Sequence, residues 1–246
     1  MAYGDDSYET AAEREERLAR EIAKRRERGE PFEPVVCEVA RGMPAKTFWG
    51  KAWCENLERY SDYEQRLPRG RSYLRRGQVH DLEINVGNIF AYVVGREIYE
   101  VEISVITLAT QRWEDLKTSL AGEVRNLVAL LSGQLGDGVM ERVTDRGTGL
   151  FPTPKQISFN CTCPDHADLC KHAAAALYAV GIKLDDEPES LFRLRKVDHR
   201  ELLDAAGSEV DLSSEGEGTG VLAAGELGDL FGIELAEPES AFPESS

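Results

Sequence analysis

The spacing of apolar positions divides the chain into a polar beginning, a patterned middle and a polar end. Residues 13–28, EREERLAREIAKRRER, are strong helix formers, with Leu18 and Ile22 as their large apolar residues. Glu21 and Arg25 stand in the favourable i,i+4 order. This predicts a solvated helical arm, with a helix that grips nucleic acid as the alternative, ended by Gly29, Pro31 and Pro34. Phe48, Trp49, Ala52, Trp53 and Leu57 then recur at helical spacing. Leu82, Ile84 and Val86 alternate with polar residues, and Ile89, Ala91 and Val93 follow across a Gly87-Asn88 turn signal, which predicts a hairpin. Tyr99, Val101, Ile103 and Val105 supply a third strand. Trp113, Leu116, Leu120, Val124, Leu127 and Leu131 predict a single amphipathic helix of about five turns. Helices packed on a small antiparallel sheet make an α+β body.

Gly147, Gly149, Pro152 and Pro154 separate that body from a second segment. There Ile157 to Pro164 reads as extended and then turning, and Leu169 to Val180 as an Ala- and Leu-rich helix. The expected organisation is an arm (1–40), the body (41–150), the cysteine-bearing segment (151–203) and a tail (204–246). Charge sharpens the last division. The net charge is −16, yet from Asp204 onward there are 11 acidic residues and no basic ones, against 34 acidic and 29 basic before it. A nearly balanced body therefore carries a disordered acidic tail, with one apolar island from Leu222 to Leu235. No run approaches the roughly 18 apolar residues of a membrane helix. The first residues lack the basic and apolar regions of a secretory signal, so a cytoplasmic protein is expected.

The cysteines are Cys37, Cys54, Cys161, Cys163 and Cys170. An odd number with three inside ten residues is no disulfide framework, and clustered thiols in such a chain bind metal more often. Cys161, Cys163, Cys170 and His172 form C-x-C-x6-C-x-H, which offers zinc four donors at about 2.3 Å for sulfur and 2.0 Å for nitrogen. Residues two apart in a helix point in nearly opposite directions. Cys170 must therefore sit at the helix entry and His172 in its first turn, where free N–H groups and the helix dipole favour thiolate. With all four positions filled by protein, one structural Zn²⁺ is expected, and Lys171 offsets the net −1 of three thiolates around it. His166 and Asp168 lie in the intervening loop as spare donors outside the expected set. Cys54, beside Trp53, reads as a core thiol, and the isolated His80 and His199 as ordinary polar or partly buried residues.

Residues 158–181, SFNCTCPDHADLCKHAAAALYAVG, resemble the SWIM zinc finger from the strand before the first cysteine to the Ala-rich helix. Upstream, TFWGKAWCENLE and RGRSYLRRGQVHDLEINVGNIFAYVVG look like a bacterial SWIM-protein lineage, so the resemblance covers residues 44–182. It implies a β-β-α zinc module that binds DNA or protein, with no established reaction. It also implies a gene often found beside Swi/Snf-type helicase-like ATPases.

A second candidate surface is basic. Arg66, Arg69, Arg71, Arg75 and Arg76 fall in eleven residues around Tyr73, with no acid among them. Arginine forks suit phosphates and a tyrosine face can stack on an unpaired base, so these residues, with Lys171, are candidate nucleic-acid contacts carried on a loop. The tail offers competing roles: binding a partner groove, shielding the arginines, or only solubilising the chain. Enzyme signatures are missing from the sequence, with no phosphate-binding G-x4-G-K, no G-x-S-x-G and no H-E-x-x-H. The expected function is a non-catalytic zinc module engaging DNA beside a helicase-like ATPase. The alternative is a protein–protein adaptor without nucleic-acid contact.

Overall fold

In the computed structural model, which describes residues 9–60, 65–124, 126–165 and 167–203, the alternating runs become one antiparallel sheet. Its strands β1 (Val79–Asn85), β2 (Asn88–Val94), β3 (Ile98–Val105) and β4 (Ile157–Cys161) lie in that order. Period-2 patterning sends Ile89, Ala91 and Val93 of β2 to the same buried side as Val101, Ile103 and Val105 of β3. The hairpin turn is Val86-Gly87, one residue earlier than expected: Asn85 pairs with Asn88, and Gly87 takes φ of 68°, which glycine adopts without steric cost.

Among the described residues the helices are α1 (Ala11–Glu27), α2 (Phe48–Glu58), α3 (Leu67–Arg75), α4 (Thr110–Ser119), α5 (Leu127–Leu131), α6 (Asp137–Thr144), α7 (Lys171–Asp186) and α8 (Glu189–Arg195). None is long and apolar enough to cross a membrane. The fold is thus α+β: β4 pairs with β3 from across the α4–α6 segment and leads into α7, which lies over the sheet.

Helix α7 is the centre of the packing. His172 to Gly181 are all buried, and α2 and α3 cross it through small residues. A Cβ on Gly70 of α3 would lie 2.6 Å from the Ala174 Cβ, and one on Gly181 would lie 2.5 Å from the Cys54 sulfur of α2. Trp53 Nε1 donates to the Leu177 carbonyl at 2.8 Å, and Asp185 in the last turn of α7 accepts from the Lys46 and Thr47 N–H groups at the start of α2. Cys54 is fully buried, as a core thiol should be, and burial pushes its pKa far up.

Three expectations fail here. The single helix from Trp113 to Leu131 is two: Gly122 takes φ of 75° after α4, and the Asn126 side chain accepts from Val128 and Ala129 N–H to begin α5. The arginine stretch is helix α3 rather than a loop, because Pro68 falls in the first turn, where its missing N–H is harmless. The arm is not merely solvated. Helix α1, opened by a Thr10–Glu13 capping box, buries Leu18, pairs Arg17 with Glu97 at 2.7 Å and sets Arg25 over the Tyr92 ring at 4.8 Å. The acidic tail with its apolar island, and His166, lie outside the described residues.

Candidate metal centre

Strand β4 ends at Cys161, and its pairing with β3 continues one residue further. Thr162 N–H donates to the Glu100 carbonyl at 3.1 Å, and Glu100 N–H to Thr162 Oγ1 at 3.0 Å. That pairing fixes the Cys161-Thr162-Cys163 turn. Cys170 is the N-cap of α7, in extended conformation, and its sulfur accepts from the Ala173 N–H at 3.3 Å. His172 is the second residue of the helix, so the entry-and-first-turn arrangement required by the spacing is what forms.

The four ligand atoms lie within 4.8 Å of one another, and His172 Nδ1 is 3.9 Å from the sulfurs of both Cys161 and Cys170. Donors on a zinc tetrahedron stand about 3.5–4 Å apart for bonds of the usual lengths. Three thiols and an imidazole at this spacing fit one zinc ion, and protein fills every position. Cys163, Cys170 and His172 are buried, Cys161 half-buried. Cys170 is the readiest thiolate: a hydrogen bond from the Cys161 thiol, contact with His172 and the Ala173 N–H bring it down to about 4. The same hydrogen bond pushes Cys161 well above the ordinary thiol range. Burial raises Cys163, against the pull of the Asp165 N–H. A bound dication would replace those thiol protons.

Aromatic rings orient the imidazole. Tyr99 of β3 stacks on His172 with centroids 4.3 Å apart, and Tyr73 of α3 meets it edge-on at 5.3 Å. Gly95 leaves room for the ring, since a Cβ there would lie 3.0 Å from His172 Nε2. Sequence reasoning missed Tyr99 and Gly95 as parts of the centre. Tyr99 sits in an alternating run that explains it as core, and nothing along the chain links it to residue 172.

Residues 160–181 match the family model described as SWIM zinc finger, a span that contains all four donors. The chain carries a SWIM zinc finger. "Uncharacterized protein Rv2102" of Mycobacterium tuberculosis is 32% identical over 172 residues, which cover 69% of this chain and 62% of that protein. The chain therefore spans less than two thirds of that relative's length. No solved structure matches.

Around the SWIM finger the candidate basic residues divide into two groups. Arg66 pairs with Asp165 at 3.1 Å, and Arg71 with Glu58 at 2.7 Å. Arg75 donates to the Val39 and Gly42 carbonyls. These three are held by the protein itself. Arg69 and Arg76 are exposed, and neither has an acidic partner among the described residues. Arg76 lies 5.1 Å and Lys171 5.6 Å from the Tyr73 ring centroid. With its face engaged by cations and its ring set edge-on to His172, Tyr73 is a platform for positive charge rather than a base-stacking surface. Asp168 is exposed and stands outside the four-donor group.

Proposed function

We propose that this is a non-catalytic zinc-ordered module that binds the phosphate backbone of DNA along the seam between α3 and the SWIM finger, beside a helicase-like ATPase. The observation that carries the reading is the pairing of Lys171 and Arg76 on the Tyr73 ring, which abuts the ligand His172. Metal binding orders the first turn of α7, and that turn carries Lys171. Charge display is thereby tied to zinc. Exposed cations with no acid beside them release counterions when they meet phosphates, which makes such binding steeply salt-dependent.

The decisive experiment titrates the zinc-quantified full chain against labelled single- and double-stranded DNA over a salt series. The double variant Arg76→Glu/Lys171→Glu should weaken binding at least tenfold and flatten the salt slope, with zinc content unchanged. Binding that is absent, or insensitive to those charges, would move the reading to the protein–protein adaptor. A specific observation favours that second reading: Arg66, Arg71 and Arg75 are engaged internally, which leaves fewer free cations than the sequence count implies. Under the adaptor reading a pull-down with the ATPase partner succeeds and the DNA titration fails.

A further inference from the structure

Helix α7 covers the sheet face that carries Ile89, Ala91 and Val93. The residues between them, Phe90 and Tyr92, stand on the opposite face. Strand register sets two rows there: His80, Tyr92 and Glu100 in one, and Glu83, Phe90, Glu102 and Asn160 in the other. The chain itself covers part of the first row. Phe32 stacks on His80 with ring centroids 4.5 Å apart and tilts against Tyr92 at 5.6 Å, and Arg25 of α1 lies 4.8 Å from the Tyr92 centroid. Phe32 and His80 are buried there. On the second row Glu83, Glu102 and Asn160 are exposed and Phe90 is half-buried. The Phe90 and Tyr92 rings meet at 88° with centroids 5.0 Å apart, so the open row continues the covered one.

Phe90 lies between two carboxylates, because side chains directly opposite on neighbouring strands start about 5 Å apart. Asn88 Nδ2 donates to Glu102 at 2.9 Å, and Asn85 Nδ2 lies 3.5 Å from a Glu83 oxygen. Among the described residues both glutamates thus have amide partners and no cation, so they are oriented without being neutralised. An aromatic ring flanked by two uncompensated carboxylates attracts a cation to its face, and the same charge turns phosphate away.

We propose that the Glu83–Phe90–Glu102 row is a docking surface for an arginine-bearing, partly apolar segment of a partner protein. The occupant follows from the two unmatched carboxylates and from the adjoining row, where an arginine and a phenylalanine of the chain itself already meet the Tyr92 ring. The row shares no residue with Arg76, Lys171 and Tyr73, so the proposal does not rest on the DNA reading. Fluorescence anisotropy tests it, with the zinc-loaded full chain and a short labelled peptide of alternating arginine and leucine. A second peptide carries citrulline for arginine, which keeps the shape and removes the charge. The wild type should bind the arginine peptide saturably, and the citrulline peptide at least tenfold more weakly. Glu83→Gln/Glu102→Gln should weaken arginine-peptide binding at least tenfold, and Phe90→Leu at least threefold, each with zinc content and circular dichroism unchanged. Glu55→Gln/Glu141→Gln, which removes the same charge from α2 and α6, should bind as the wild type does. Absence of saturable binding, equal binding of the two peptides, or equal losses in the two double variants would overturn the surface.

Discussion

Helices α3 and α7 pack against each other and treat their polar residues in opposite ways. Helix α7 gathers its chemistry at one end, with Cys170 as N-cap and His172 in the first turn, and buries nearly everything that follows. Helix α3 spreads its charges along its length, then divides them. Arg71 reaches Glu58, Arg75 reaches backbone carbonyls, and Arg76 extends outward over Tyr73. The difference is one of range. The job of a metal ligand is set by neighbours a few residues away, whereas the job of an arginine is set by whatever tertiary structure lies within reach of its long side chain.

The largest expected effect removes the local constraint. Cys163→Ala or Cys170→Ser should reduce zinc from one per chain to near zero, measured by metal analysis of the purified protein. Because zinc binding supplies on the order of 10 kcal/mol to small structural fingers, the α7 entry should lose its order. Arg69→Glu should leave the zinc content at one. Full zinc in both cysteine variants would remove those residues from the ligand set and make the two helices alike.

That contrast of range also explains what was legible in the sequence. All four ligands fall within twelve residues, so spacing alone could locate Cys170 at the helix entry. The three alternating strands were legible for the same reason, since a period of two is a property of neighbours. The break between α4 and α5 was not. Trp113, Leu116, Leu120 and Val124 are buried as one long stripe would have them, but past the break burial passes to Leu130 while Leu127 and Leu131 are half-buried, a shift that apolar spacing does not foretell. Gly122 and Asn126 set the break through backbone angle and capping. The docking of α1 was hidden too, since it runs through Arg17 with Glu97 and Arg25 with Tyr92, contacts made across the chain by residues that read locally as solvated. Nor does any local rule tie Tyr99 to His172.

The next effect tests the crossing itself. Gly70→Val would place a Cβ 2.6 Å from the Ala174 Cβ and 2.8 Å from the Ala175 nitrogen, where only backbone movement makes room. Overpacking of this kind costs about 1–3 kcal/mol, read from the denaturant midpoint of the zinc-loaded protein. Gly138→Ala in α6 meets nothing within 4 Å and should instead gain up to about 1 kcal/mol from helix propensity. Equal responses at the two glycines would show that α3 does not rest on α7 as closely as the sequence of small residues requires.

The smallest effect separates the two kinds of arginine on α3 and its C-cap, Arg76. Arg71 and Glu58 are each about one-third exposed, and Glu58 also accepts from the Tyr178 hydroxyl at 2.9 Å, so Arg71 serves a shared network between α2, α3 and α7. Solvent screening limits such a pair to about 0–1 kcal/mol. Arg71→Met should therefore lower stability by a few tenths of a kcal/mol up to that limit and leave the salt slope of DNA binding untouched. Arg76→Met should do the reverse, changing the salt slope by about one phosphate contact while the unfolding midpoint stays put. Identical behaviour of the two variants in both measurements would mean that α3 does not divide its charges between structure and ligand.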